Sequence, residues 1–458
     1  MSRPGRATPR SRGWVGVRVL LGYGAAKAAP GVLAVFSVPI WIKAIGPTGY
    51  ATFTMVWVLA MVVSSLGATW IKQGLLRSAG DESRTLARLP WLPVLATILL
   101  PAVPVALWTF TRSGSDPVAL VGAAVLLTVS SGAYTLLSGQ VQRDQQAGRF
   151  AAAETVRALV GLLASLAILP WLPGAAGVLM GNVAGTLAGL LILACAGVRR
   201  ILPQGDDRVL LSYYWRVGWP ISIWSSASFL LVYLDRLVIA AVLGDEPAGH
   251  YAGVADLIVR GMGLTLFPVA ISAYAAVMTE WNAGRSAQAR SVLRGAAKTM
   301  VLLFLAAFVG TAVCGPWAVE LLVPGTETTR LVMILIALGA GLWQCALLAH
   351  KTLEMADRSK LMLGLMLLAV VVTLAADILL VPLFGLAGAA GAFALGALCY
   401  TATCLLAGLR TLAGEPGRSE PSAAEPTAGD GPDRVQDVGV KNPTQRTKPE
   451  KLASKTVY

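Results

Sequence analysis

An acidic and a basic residue stand side by side inside an apolar stretch of the chain. The stretch runs FLLVYLDRLVIAAVLG from Phe229 to Gly244, and the charged pair is Asp235 and Arg236. A charge at the centre of a membrane helix costs roughly 2.5 to 3.5 kcal/mol on insertion scales, so such residues usually face a protein interior or a watery cavity. If this stretch spans a membrane, the pair is a candidate for function.

Two more charges follow after a short turn. Asp256 and Arg260 are four residues apart in HYAGVADLIVRGMG. At a rise of about 1.5 Å per residue, antiparallel helices would bring these two charges to roughly the depth of Asp235 and Arg236. The sequence therefore predicts a formally neutral cluster of two acids and two bases within the membrane.

Two interpretations of this cluster are open. In the first, the charges form compensating ion pairs that pin the seventh span to the eighth, since removing one partner of a buried pair is strongly destabilising. In the second, Arg236 and Arg260 line a cavity, because a guanidinium group binds phosphate through two parallel hydrogen bonds and stays charged when partly desolvated. Asp235 and Asp256 would then hold these groups in place or titrate and couple transport to protons.

A further cation, Lys27, lies in the first apolar stretch, toward the half nearer the N-terminus. A lysine there can snorkel to the membrane interface along its own methylene chain. If it faces the cavity instead, it is the first cation that an anionic headgroup meets on entry. We therefore group Lys27 with Arg236 and Arg260 as candidate substrate-binding residues.

Other site chemistry is missing from the sequence. There is no GxxxxGK[ST] phosphate loop, which argues against an ATPase domain in this chain. The two histidines and five cysteines are scattered without metal-ligand spacing. We expect no enzymatic activity, no catalytic residues, no metal site and no cofactor.

The elements that must position these residues are membrane helices. The chain is 56% hydrophobic and 13% charged, with a mean hydropathy of +0.68, well beyond the range of soluble domains. None of its apolar stretches alternates as a barrel strand would, so helices must satisfy the backbone. Twelve stretches approach the length that a bilayer requires, at approximately 19–43, 51–71, 91–110, 117–139, 156–172, 176–197, 217–243, 251–277, 299–323, 330–350, 361–382 and 386–409.

The basic residues predict the orientation of these helices. Lys and Arg precede the first span and occupy every second loop after it, Arg157 at the start of the fifth span included. The exceptions are Lys43, Arg112 and Arg330. Because basic loops stay in the cytoplasm, we expect both termini to be cytoplasmic and the first span to be retained. The net charge of +13 then reflects topology, and we expect no nucleic-acid partner.

Two sequence echoes predict an internal duplication. AIGPTGYATF, with Gly46 and Tyr50, resembles VLGDEPAGHYAGV, with Gly244 and Tyr251, about 200 residues later. PWLPGAAGVLMG is echoed by PLFGLAGAAGAFALG at an offset of 212 residues. The fold class is therefore an all-α polytopic membrane protein whose two six-helix bundles are related by a pseudo-two-fold axis along the membrane normal.

The domain boundaries follow from this division. We expect a basic cytoplasmic N-terminus at 1–18, an N-terminal bundle at 19–200, a cytoplasmic linker at 201–216 and a C-terminal bundle at 217–410. Residues 411–458 are rich in Pro, Gly, Ser and charge and nearly lack large apolar residues, which predicts a disordered cytoplasmic tail.

Several of these segments resemble a known family. FSVPIWIKAIGPTGYATF, SLGATWIKQGLLR, the YLDRLVIAAVLGDEPAGHYAGVADLIVR block and LLVPLFGLAGAAGA are similar to the polysaccharide flippases (O-antigen or Wzx type) of the multidrug/oligosaccharidyl-lipid/polysaccharide exporter superfamily. The resemblance runs in order across residues 14–410. It implies two six-helix bundles around a cationic cavity. Asp235 and Arg236 match the family's pair in span seven, Arg260 matches a basic position in span eight, and Lys27 matches only loosely.

The function that the resemblance implies is translocation of a polyprenyl-diphosphate-linked oligosaccharide across the bacterial cytoplasmic membrane, by alternating access, for export of exopolysaccharide, capsule or lipopolysaccharide O-antigen. The expected partners are this substrate, membrane lipids and polysaccharide polymerase or export proteins. A lipid II flippase is one alternative, although such proteins carry two additional helices. A MATE-like multidrug or cation exporter is another, but it would use an acidic cavity, whereas only two membrane-centred acids are evident here. A membrane glycosyltransferase is disfavoured by the short outer loops.

Overall fold

The chain is helical in the computed structural model, which describes residues 11–78, 83–112, 117–195, 203–323, 325 and 328–413. Side chains are described from residue 29 to residue 410 of these ranges, apart from positions 275 and 282. The predicted N-terminus at 1–18 lies largely outside the described residues, and so does nearly all of the predicted tail at 411–458. Within the described ranges, the one β contact is an isolated bridge between Pro90 and Gly205.

The described ranges contain thirteen α-helices and one 3₁₀ turn, at Leu86–Arg88. The helices are α1 (Ser11–Arg77), α2 (Trp91–Leu99), α3 (Ala102–Arg112), α4 (Pro117–Arg143), α5 (Ala147–Ile168), α6 (Ala175–Ala194), α7 (Arg208–Val242), α8 (Asp245–Asn282), α9 (Ser286–Leu322), α10 (Arg330–Ala349), α11 (Lys351–Met355), α12 (Ser359–Phe384) and α13 (Leu386–Ala413). Eleven helical segments among these residues are long and apolar enough to cross a membrane.

Helix α1 contains two of the predicted spans. Its backbone leaves the helical region at Gly46, where φ is 72° and ψ is 169°. The rings of Trp41 and Phe53, on either side of this glycine, have centroids 5.1 Å apart. Twelve residues of straight helix would separate them by about 18 Å, so the chain doubles back at Gly46. With this reversal, the eleven apolar segments supply the twelve crossings that the sequence predicts, and they confirm a polytopic helical membrane protein.

The same sharp reversal recurs at the places where the sequence echoes itself. Gly46, Gly174, Gly244 and Gly385 each have a positive φ and stand between two antiparallel spans. Only glycine adopts such a backbone without strain. Gly46 corresponds to Gly244, and Gly174 to Gly385, in agreement with the predicted duplication. Because each of these four turns follows an odd-numbered span, all four lie on one face of the molecule, here named the glycine-turn face.

The opposite face, here named the basic face, repeats as well. Gln145, between α4 and α5, and Asp357, before α12, have φ values of 55° and 54°. The next residue in each turn, Gln146 or Arg358, donates its backbone N–H to the carbonyl five residues earlier, at 3.1 Å and 2.9 Å. The two turns are 212 residues apart, the offset of the second sequence echo. The two halves thus share the geometry of this turn.

Helix α1 joins the two halves through a close-packed seam with α7 and α8. The hydroxyls of Ser222 and Ser226 on α7 donate to backbone carbonyls of α1, including those of Ser65 and Val62, at 2.8 Å and 2.9 Å. These bonds satisfy buried hydroxyl groups within the membrane region. Near the glycine-turn face, Gly249 of α8 packs directly on the carbonyl of Pro47.

Candidate functional site

The charged residues of α7 and α8 meet at one carboxylate. Arg236 Nη2 lies 2.7 Å from Asp256 Oδ1, and both side chains are only 2% exposed. Arg260, one turn further along α8, places its Nη2 3.5 Å from Asp256 Oδ2. Asp256 therefore accepts from two guanidinium groups, and the Arg236–Asp256 pair ties the seventh span to the eighth.

Two tyrosines complete this cluster, and both belong to the repeated glycine–tyrosine motif. Tyr50 Oη donates to Asp256 Oδ2 at 2.6 Å, across 206 residues of sequence. Tyr251 Oη donates to Asp235 Oδ2 at the same distance of 2.6 Å. The repeated motif therefore places one tyrosine hydroxyl on each of the two carboxylates. The sequence pattern around these tyrosines did not predict that contact.

The neighbours Asp235 and Arg236 are not an ion pair through their side chains. Asp235 Oδ1 accepts the backbone N–H of Arg236 at 2.8 Å, while the Arg236 guanidinium lies over the ring of Tyr233, 4.5 Å from its centroid. Consecutive residues on a helix point about 100° apart, so their side chains reach different neighbours. Arg236 is sealed inside the protein, behind Tyr233.

Arg260, in contrast, reaches a cavity. Its side chain is 21% exposed and lines a cavity of about 330 Å³ between α1, α4, α5, α6, α7 and α8. The guanidinium also donates to the carbonyl of Ala34 and, at 3.3 Å, to the hydroxyl of Ser37 on α1. Arg260 thus connects the two halves, and its side chain is partly exposed to the cavity.

A second arginine, Arg157, lines the same cavity, although the sequence groups it with the basic loop that precedes the fifth span. Arg157 lies inside α5, which begins ten residues earlier, at Ala147, and it lines the cavity together with Glu154. Its Nη2 is 3.1 Å from Glu154 Oε2, and its guanidinium lies 4.8 Å from the ring centroid of Tyr134. The spacing of Glu154 and Arg157, one helical turn apart, was the signal that could have revealed them.

The structure adds a fourth acid within the apolar spans. Asp377 on α12 is fully buried, and neither carboxylate oxygen has a hydrogen-bond partner among the described residues. It interacts electrostatically with Asp235 on the neighbouring helix α7. The expectation of only two membrane-centred acids is therefore wrong, since Glu154 and Asp377 add two more. A lone Asp in VVVTLAADILLVP carries the same signal that drew attention to Asp235.

The remaining predicted site residue is Lys27, whose side chain lies outside the part of the chain that is described. Among the described residues, no group of three or more His, Cys, Asp and Glu side chains could hold a metal ion. The described site is thus a largely apolar cavity with arginines from both halves on its wall and a buried cluster of charges behind Arg260.

Fold and site together define a multi-pass helical membrane protein with a charged internal cavity, lined mainly by the N-terminal half and closed on one side by Tyr233 and Arg260 of the C-terminal half. The chain belongs to the polysaccharide biosynthesis protein family, whose sequence profile matches residues 45–325. This match confirms the family resemblance seen in the sequence motifs. No curated protein sequence matches the chain.

Solved structures share the fold. An outward-facing multidrug resistance MATE transporter of the MOP superfamily superposes with a TM-score of 0.63 at 14% identity, covering 87% of this chain and 95% of that chain. The inward-facing conformation of a MATE transporter gives 0.65 at 14% identity, covering 85% and 98%. A MOP transporter from Pyrococcus furiosus, described as having a binding pocket of reverse polarity that suggests a different function, gives 0.65 at 14% identity, with coverage of 87% and 95%. The fold class predicted from the sequence is confirmed.

Proposed function

We propose that this protein translocates a lipid-linked oligosaccharide, carried on a polyprenyl diphosphate, across the bacterial cytoplasmic membrane for polysaccharide export. The observation that carries the proposal is the pair of arginines on the cavity wall, Arg157 from the N-terminal half and Arg260 from the C-terminal half. A diphosphate offers oxygens to both, and guanidinium groups bind such oxygens through charge-assisted hydrogen bonds. Two arginines on the cavity wall, one of them paired with the lining acid Glu154, favour an anionic substrate over a cationic one.

Because the two arginines belong to different halves, a bound diphosphate would bridge the halves. Alternating access by rocking of two repeats requires a substrate that contacts both of them. The cavity also offers Trp41 and Trp57, whose rings suit the faces of sugar residues, and amide and hydroxyl groups from Asn182 and Thr186. No covalent chemistry is needed for this movement.

Arg236 has a different part in the proposal. It lies behind Tyr233 and pairs with the carboxylate that also holds Arg260, so it fixes the position of Asp256. We assign the phosphate contact to Arg260 and treat Arg236 as a positioning residue. Lys27 remains a predicted contact for the incoming headgroup on the basic face, which we expect to be cytoplasmic.

Energy coupling is proposed for the acids behind the cavity. Asp235 and Asp377 are buried acids whose negative charges would repel each other. Asp377 has no hydrogen-bond partner among the described residues. Two buried carboxyl groups in such a place are expected to share a proton or hold a cation. Binding and release of that proton or cation would change how α12 packs against α7. Asp256, which is held by two arginines, is the structural acid.

The proposal is tested by reconstituting the protein in liposomes and following translocation of a fluorescent polyprenyl-diphosphate oligosaccharide between leaflets. We expect the wild type to translocate it, and Arg157→Gln and Arg260→Gln each to slow it by at least tenfold, since each removes a charge-assisted contact of about 1.5 to 3 kcal/mol. Arg208→Gln, at an exposed position outside the cavity, is the matched control. Efflux of a cationic drug, with no movement of any lipid-linked glycan, would overturn the proposal.

A further inference from the structure

A second cavity is lined only by residues of the C-terminal half and by none of the residues of the charge cluster. It has a volume of about 500 Å³ and lies between α9, α10 and α13, with one residue of α11. It shares no lining residue with the cavity that holds Arg157 and Arg260. Here it is named the lateral groove, because its walls include residues that face outward from the bundle.

The groove is apolar along most of its length and open to the membrane. Its walls include Val301 of α9 and Leu405 and Leu409 of α13, all of them exposed, and its floor includes Met300 and Leu348, which are buried. Gly408 lacks a side chain where α13 passes Thr352, and this lets the end of α13 approach the floor. Exposed apolar walls in a membrane protein face lipid chains.

Charge is confined to one end of the groove. Arg290 and Arg294 lie four and eight residues into α9, hence about 6 Å and 12 Å from its start at the basic face, whereas Val301 lies about 22 Å along the same helix. Neither arginine forms an ion pair among the described residues. Within the described part of the chain, their guanidinium groups donate hydrogen bonds only to their own helix, at Ser286 and at the Arg290 carbonyl.

This arrangement has the shape and polarity of a lipid. Two cations stand at the level of the headgroups, and an apolar channel leads from them toward the middle of the membrane. We propose that the lateral groove binds an anionic phospholipid of the surrounding leaflet, with its phosphate on Arg290 and Arg294 and one acyl chain along the groove. The proposal depends only on the membrane location and does not require the flippase function.

The occupant is a resident phospholipid and not the cargo, because the groove is separated from the central cavity. A translocated substrate must reach residues of both halves, whereas every lining residue of the groove belongs to the C-terminal half. A lipid held there would pack α9 against α13. In the described structure α9 is the least buried of the membrane helices, so a lipid would add contacts where the protein supplies few.

The test is photocross-linking in nanodiscs of phosphatidylcholine that contain phosphatidylglycerol with a diazirine in one acyl chain. We expect cross-linked peptides from the groove walls of α9 and α13. In the double variant Arg290→Gln, Arg294→Gln, we expect cross-linking to fall by about 25-fold, because each cation contributes roughly a fivefold preference for an anionic lipid. The double variant Arg358→Gln, Lys360→Gln removes the same charge from exposed positions on the basic face and should leave it unchanged.

A third variant separates the groove from general surface charge. Ala297→Trp fills the groove beside Arg294 while both arginines remain, and it should exclude the acyl chain and reduce cross-linking to the same peptides. The proposal is overturned if phosphatidylcholine with the same diazirine labels these peptides equally, or if the control variant loses labelling as well. It is also overturned if the labelled peptides lie outside the groove. Displacement of the probe by polyprenyl phosphate at lower concentrations than by unlabelled phosphatidylglycerol would also overturn it, since the groove would then serve the cargo.

Discussion

The phenol of Tyr50 donates a 2.6 Å hydrogen bond to the carboxylate of Asp256, and so joins the first half of the chain to the charge cluster of the second. Asp256 already accepts from two guanidinium groups, and the tyrosine occupies a remaining lone pair. A buried carboxylate is tolerated only when its oxygens are satisfied in this way. The bond also lies beside the seam along which the halves meet.

Tyr50→Phe removes this hydrogen bond and keeps the ring. We expect the variant to lose about 1 to 3 kcal/mol of stability, because a charged acceptor in a buried site is left with one partner fewer. Thermal unfolding in detergent measures the effect. Tyr213→Phe, on a ring that stacks beneath Arg84 near the start of α7, is the control. Equal melting temperatures for wild type and Tyr50→Phe would show that the bond contributes nothing.

Asp256→Ala leaves the buried guanidinium of Arg236 and the half-buried one of Arg260 without their carboxylate. We expect the free energy of unfolding to fall by about 3 to 5 kcal/mol, more than the loss of any single hydrogen bond. The double variant Asp256→Leu, Arg236→Met removes the sealed pair together, so much of the stability should return. Translocation should not return, since Arg260 has lost the carboxylate that positions it. A double variant as unstable as Asp256→Ala would contradict this account, and recovery of transport would contradict the positioning role.

Gly249→Ala should disrupt the seam at the glycine-turn face. A Cβ at this position overlaps the carbonyl oxygen of Pro47, a backbone atom that cannot rotate away. We expect poor yield of folded protein or a clear fall in melting temperature. Gly261→Ala is the matched control, because it lies on the same helix and a Cβ there meets nothing within 4 Å. If both variants behave alike, helix propensity and not close approach decides the outcome.

Asp377→Asn tests the coupling role of the unpartnered carboxyl group. We expect the variant to fold at least as stably as the wild type, since an amide carries no charge to bury. Its transport should no longer respond to an imposed proton or sodium gradient. Asp357→Asn, at an exposed ion pair 3.5 Å from Arg77, should keep the gradient response and change stability by less than about 1 kcal/mol. A strongly destabilised Asp377→Asn would indicate that the carboxylate has a structural partner.

Local signals in the sequence were enough for the helices and for the family. Runs of apolar residues predict membrane crossings, and the positive-φ glycines Gly46, Gly174, Gly244 and Gly385 lie in the two sequence echoes that reveal the duplication. The depth of Asp235, Arg236, Asp256 and Arg260 also followed from counting residues along two antiparallel helices. These features depend on the rise of a helix and the preferences of single residues, which the local sequence carries.

The sequence alone could not tell which way each side chain faces, because the rotation of a helix about its axis is set by the neighbours against which it packs. That rotation seals Arg236 behind Tyr233 and opens Arg260 to the cavity, although both appear equivalent in the sequence. It also turns Arg157 inward from a segment that reads as a basic loop. The sequence by itself determined the spans, the duplication and the charged residues, and the tertiary structure decided which of those charges meet one another and which are left to meet a ligand.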